Sequence, residues 1–213
     1  MPTRLRDHLK TLCGGTLLLL AAQGARIEQA RAASVSDLES LLWPAEGTLR
    51  RDQAGHALTA GRLKDRVVVV SFITTDCAIP CVIRARDLAA TARSLPGTLR
   101  ARVAVLAVSL DPVREGAPAL RAFAESLDLD PAQVLVLESD ATTAAHQRAA
   151  LRYPADRTEP PDRVLVFDRT GQLAMTYGAT PLDRPRLERD LAELDRFAQG
   201  VGHPPTPNAL PTP

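Results

Sequence analysis

Val67-Val-Val-Val-Ser-Phe-Ile-Thr-Thr-Asp-Cys-Ala-Ile-Pro-Cys81 is the stretch from which the rest of the chain can be read. Apolar and β-branched residues dominate from Val67 to Ile73, and Thr74-Thr75-Asp76 then turn polar. A run this short and this apolar predicts a buried strand, parallel and central in its sheet. Cys77 and Cys81 follow four positions apart, where an amphipathic helical pattern begins. The pair thus falls where a strand hands over to a helix, at the sheet edge where open α/β folds place their chemistry. A helix amino-terminus also favours a thiolate, through its partial positive charge and free N–H groups. Residues four apart at a helix start share one face, so the sulfurs can close a disulfide or bind one soft metal ion together. The spacing alone does not choose between these.

Outward from the pair, the elements follow in a legible order. Val82, Ala85, Leu88, Ala89, Ala92 and Leu95 recur at helical spacing, and Pro96-Gly97 ends the helix. Val103–Ser109 predicts a second buried strand. Leu120, Phe123, Ala124 and Leu127 mark a helix with Pro118 in its first turn. Val134–Leu137 reads as a short strand, and Ser139 or Asp140 caps a helix through Leu151. Val164–Phe167 and Leu173–Tyr177 are strands joined by Asp168-Arg169-Thr170-Gly171, a hairpin signature, and Asp183 caps a last helix with Leu187, Leu191 and Leu194. Turn residues from Gly47 to Gly61 surround short extended pieces, as in an amino-terminal hairpin. A leading β-α-β joined to a closing β-β-α is the thioredoxin core. The expected fold class is therefore α/β, thioredoxin-like, with an extra α-β insertion.

With 213 residues and 45% hydrophobic content, the chain can bury one good core. Its 26 basic and 25 acidic side chains leave no nucleic-acid footprint, and 3% aromatic content argues against a base-stacking platform. Arg4, Arg6 and Lys10 precede an apolar segment from Thr11 to Ala22, and Ala30-Arg31-Ala32 offers a cleavage site. The apolar run is about half of the roughly 20 residues a membrane span needs. Residues 1–32 therefore read as a signal peptide, with an uncleaved anchor as the alternative and the only route to membrane association. Residues 33–199 form the expected domain, and the proline-rich tail 200–213 is expected to be disordered. Removing the signal takes Cys13 with it and leaves Cys77 and Cys81 as an isolated pair in an exported, periplasmic chain, where thiols can be oxidised.

The segment Phe72-Ile73-Thr74-Thr75-Asp76-Cys77-Ala78-Ile79-Pro80-Cys81 resembles the active-site segment of the Sco/SenC family, thioredoxin-like proteins with a Thr two before a Cys-x-x-x-Cys. Thr75 takes the Thr position. Val105–Pro112 and the following helix, with Asp111 and Pro112 in place, resemble the family's Ser-x-Asp-Pro-x-x-Asp-x-Pro segment, and the hairpin around Gly171 resembles its closing strands. The likeness runs from about Leu41 to Ala198. It implies a protein of cytochrome oxidase assembly that acts on a thiol-bearing or copper-receiving protein partner, with Cys77 and Cys81 as redox pair or copper ligands. Two departures stand out. Val82 follows the second cysteine where the family usually has Pro. The family's third copper ligand, a His about eleven residues before the hairpin Gly, falls at Pro160 in Arg157-Thr158-Glu159-Pro160-Pro161-Asp162-Arg163. His146 lies in the preceding helix, His56 in the early hairpin and His203 in the tail.

Two thiolates without an imidazole still suit Cu(I) and suit Cu(II) poorly. The favoured expectation is thiol–disulfide exchange, with Cys77 attacking and Cys81 resolving, and Cu(I) delivery as the alternative. Asp76 is expected to oppose ionisation of Cys77, and Arg84 and Arg86 to favour it. Pro161 stands where many thioredoxin-like proteins place a cis-Pro facing the disulfide. Peroxiredoxin-like chemistry fits less well, since Thr74 has the required spacing to Cys77 but Val70 stands where that family has Pro. A purely structural disulfide would close so small a loop that it stabilises little.

Overall fold

The computed structural model describes residues 35–45, 48–154, 156–178 and 181–197. The expectations for the signal segment, the tail, Cys13 and His203 lie outside the described residues. In chain order the first elements are α1 (Leu38–Leu42), β1 (Arg50–Arg51), β2 (Ala57–Leu58) and α2 (Ala60–Leu63). Then come β3 (Val67–Ile73), α3 (Ile79–Ser94), α4 (Gly97–Arg100), β4 (Val103–Ser109) and α5 (Ala117–Ser126). The chain closes with β5 (Leu135–Leu137), α6 (Ala141–Ala150), β6 (Arg163–Phe167), β7 (Leu173–Gly178) and α7 (Arg184–Arg196).

Five strands form one sheet in the order β5-β4-β3-β6-β7. β3 lies at its centre, parallel to β4 from Val67↔Val103 to Ile73↔Ser109. On its other side it runs antiparallel to β6, from Val68↔Phe167 to Ser71↔Val164. All seven residues of β3 are buried, as its unbroken apolar character requires of a strand covered on both faces. Alternate side chains feed two cores. Val67, Val69 and Ile73 join Leu88 and Ala92 of α3, Phe123 of α5 and Leu187 and Leu191 of α7. Val68, Val70 and Phe72 join Leu38, Leu41 and Leu42 of α1, with Leu106, Leu137 and Phe167. The result is a helix–sheet–helix sandwich with the thioredoxin-like order, and β5 with its flanking helices is the expected insertion.

The early hairpin is present, with Arg50 opposite Leu58. Three short helices, α1, α2 and α4, have no counterpart in the sequence reading, because four or five residues are too few to display a helical period. α1 does carry a local signal: Asp37 Oδ1 accepts the Ser40 N–H at 2.8 Å, the hydrogen bond of an N-cap. α3 starts at Ile79, before the first periodic residue Val82, so Cys81 already belongs to its first turn. Asp140 and Asp183 cap α6 and α7 as expected.

Candidate functional site

Cys77 and Cys81 are joined in a disulfide whose Cα atoms stand 5.9 Å apart. The chain leaves β3 at Ile73 and makes a tight turn in which the Cys77 N–H donates to Thr74 O at 3.2 Å. It enters α3 when the Cys81 N–H donates to Ala78 O at 3.0 Å. Cys81 is buried in the α3–α7 core, whereas Cys77 is half-buried and packs at the edge of that core. Cys77 is therefore the more accessible of the pair, and Cys81 lies beneath it. Ala78 is the N-cap residue of α3 and offers no capping side chain. Its N–H is instead taken by Glu159 Oε2, 3.2 Å away on the loop before β6. A carboxylate from a distant segment thus sits at the positive end of the helix.

Two buried charged side chains hold this turn from either side. Glu115, 2% exposed, accepts the Thr75 N–H on Oε1 and the Ser109 hydroxyl on Oε2. Burial pushes its pKa above the ordinary Glu value, and the two donated hydrogen bonds only partly counter this. Arg84, 3% exposed, donates from Nε to Ser71 Oγ at 3.1 Å and from Nη2 to both Phe72 O and Pro161 O at 3.3 Å, and its Nη1 pairs with Asp162. Burial lowers its pKa and Asp162 offsets part of that. Arg84 therefore ties β3, α3 and the loop before β6 together, a geometry that only a planar multi-donor head can satisfy.

At the mouth, Arg114 donates from Nη1 to Asp76 Oδ2 at 2.9 Å and from Nε to Asp111 Oδ2 at 2.6 Å. Burial would raise the pKa of Asp111, but the Arg114 hydrogen bonds outweigh it and hold the carboxyl below its ordinary value. Ile79 (75% exposed), Ile83 and Val113 (91% exposed) add an apolar rim on α3 and on the loop that Arg114 ties to Asp76. Of the residues singled out in the sequence, Thr75, Cys77, Cys81, Asp111 and Pro161 all reach this edge. Thr75 contributes its backbone, Asp111 anchors Arg114, and buried Pro161 offers its carbonyl to Arg84.

The charge expectations need revision. Asp76 is neutralised in part by Arg114, and the Arg84 guanidinium is committed to four other groups. His146 is a half-buried residue of α6, and His56 is an exposed hairpin residue 3.5 Å from Asp52. Among the described residues no group of three His, Cys, Asp or Glu side chains is placed to hold a metal ion. Glu115, Glu159 and Arg84 in its clamping role escaped the sequence reading. Glu115 had a signal, since it falls at the second acidic position of the Asp-Pro-x-x-Asp pattern.

Residues 50–177 match the SCO1/SenC family. The chain belongs to that family. No curated protein matches it by sequence. Among solved structures it is similar to a SCO1/SenC family lipoprotein from Bacillus anthracis str. Ames (18% identity, TM-score 0.58, 72% of this chain and 96% of that one). It is also similar to BsSco, described as a Sco-family cytochrome c oxidase assembly protein with a disulfide switch (16%, TM-score 0.58, 70% and 92%). A third is Arabidopsis thaliana ScoI with copper bound (16%, TM-score 0.59, 70% and 95%). At such identities these likenesses speak for the fold alone. Within the Sco fold, this chain keeps the dithiol and presents Glu159-Pro160-Pro161 where the family resemblance implies an imidazole.

Proposed function

We propose that this Sco-family chain is an exported thiol–disulfide exchange protein acting on a protein partner in cytochrome c oxidase copper-site assembly. The observation that carries the reading is the asymmetry of the pair: Cys77 half-buried at an apolar rim, Cys81 buried one turn further along α3. In the reduced form, the Cys77 thiolate attacks one sulfur of a partner disulfide. That bond breaks, its second sulfur departs as a thiol, and a mixed disulfide forms at Cys77. Cys81 then attacks the Cys77 sulfur and closes the internal disulfide. The second partner thiol is released, so two electrons and two protons pass from the chain to its partner. The rim of Ile79, Ile83 and Val113 supports a partner that buries apolar surface around the exposed sulfur. Export rests on the amino-terminal pattern of the sequence and accords with a lipoprotein among the similar structures.

The deciding experiment is a mixed-disulfide trap in the native periplasm. Cys81→Ser should accumulate a covalent adduct through Cys77, while Cys77→Ser should not. An adduct-free Cys81→Ser protein would sink the exchange reading.

A second reading, delivery of Cu(I) as cargo, is favoured by the copper-bound relative. The donor set fits it in part. Once reduced, two soft thiolates suit Cu(I), an ion that accepts low coordination. The neighbouring carboxylate of Glu159 is a hard donor already engaged with Ala78 N–H. Anaerobic titration of the reduced protein tests this reading: Cu(I) uptake should require both cysteines, and uptake indifferent to them would exclude the site.

A further inference from the structure

We propose that Glu115 is the positioning residue of the dithiol: its buried carboxyl holds Thr75, two residues ahead of Cys77, to Ser109 at the end of β4. The proposal rests on the exchange reading above for its kinetic consequence, and on geometry alone for its structural one.

The turn between β3 and α3, which carries Cys77, is fixed by no regular ladder. β3 pairs with β4 as far as Ile73↔Ser109, and the helical hydrogen bonds start with Cys81. Between them, the backbone bonds of the turn reduce to Cys77 N–H on Thr74 O. Glu115 fills that gap from outside. Both its oxygens are used, one on the Thr75 N–H and one on the Ser109 hydroxyl, so the carboxyl spans from the end of one strand to the turn after its neighbour. Ser109 is itself fixed at its carbonyl, which accepts from Ser139 Oγ at 2.6 Å. Its hydroxyl also accepts the Asp111 N–H at 3.2 Å, which brings the Asp-Pro loop into the same cluster. The loop that carries Glu115 is closed by its own N–H on Asp111 O at 3.0 Å.

Among the described residues Glu115 forms no ion pair, although it is almost wholly buried. Burying a carboxyl without a cation carries a desolvation cost that its two accepted hydrogen bonds only partly offset. Such a group beside a reactive pair points to a role in setting the site. That role is geometric. In-line attack at a sulfur requires the Cys77 side chain to present one face outward, and the turn must hold that angle while the bond to Cys81 opens and closes.

The test compares Glu115→Gln with Glu115→Ala. The Gln amide can still accept from Thr75 with its oxygen and donate to the Ser109 hydroxyl, so it should keep the turn; Ala removes both contacts. In Glu115→Ala, hydrogen exchange at the Thr75 amide should accelerate at least about tenfold, the equivalent of about 1.4 kcal/mol for one hydrogen bond. Reduction of the disulfide by glutathione should change its second-order rate by a similar factor, while Glu115→Gln stays within about twofold of the wild type. Glu115→Leu, which removes both contacts while filling the space, provides the same comparison if Glu115→Ala does not fold. Unchanged Thr75 protection in Glu115→Ala or Glu115→Leu overturns the positioning role whatever the kinetics. A protected wild-type turn with no exchange towards glutathione overturns the exchange reading and leaves the positioning result standing.

Discussion

Glu115 shows how one side chain gives the site a pH signature. Burial holds its pKa above the ordinary Glu value of 4.5, so the folded chain keeps a proton to higher pH than the unfolded chain does. The stability this contributes is full below the ordinary value and is lost as pH rises through the folded one. Glu115→Gln removes the loss. The Tm of the variant relative to wild type should therefore climb as pH goes from about 4.5 towards neutrality, measured in paired melts. A constant difference across that range would place the slope elsewhere. Pro160 permits a second test at this scale. Pro160→His, with the pair reduced, should raise Cu(II) affinity by about tenfold or more, since even an outer-shell partner of a metal site is worth that much. Thiolate-to-copper absorbance reports it. Affinity equal to wild type would mean that the path of this loop keeps position 160 away from the sulfurs.

The longer elements were legible because each carries its own pattern: the valines of β3 and β4, the apolar repeat of α3, the leucine repeat of α7, and the Asp caps of α6 and α7. What joins them at the site was not. Arg84 meets Asp162 across 78 positions and Thr75 meets Glu115 across 40, and no local period records such pairs. Charged residues are also read as exposed by default, and Arg84 and Glu115 beside this turn lie in the interior. Arg84 had been credited with an effect on Cys77, whereas its head is spent on Ser71, Phe72, Pro161 and Asp162. Its removal tests how far three elements depend on one side chain. Arg84→Met keeps much of the apolar stem but orphans the buried Ser71 and Phe72 acceptors, and should destabilise by about 3 kcal/mol in urea unfolding. Less than about 1 kcal/mol would mean that packing alone seats the loop.

For the whole molecule, the disulfide is a small part of what keeps the chain folded. The sheet and its two cores hold the site, and the bridge closes a loop only four positions long. Chain-entropy arguments give such a loop about 2 kcal/mol. The reduced protein should keep its far-ultraviolet circular dichroism and lose about 4–8 °C in Tm. A collapse of the fold on reduction would reverse that order of importance. The separation of scaffold and site has a consequence for descent. The segment before β6 touches the first turn of α3 through Glu159, yet lies outside every strand and helix that builds the sandwich. The ties to α3 run through Glu159, Pro161 and Asp162, so a ligand gained or lost at position 160 between them takes one substitution and leaves the sandwich in place. Chemistry and architecture are here inherited on separate terms.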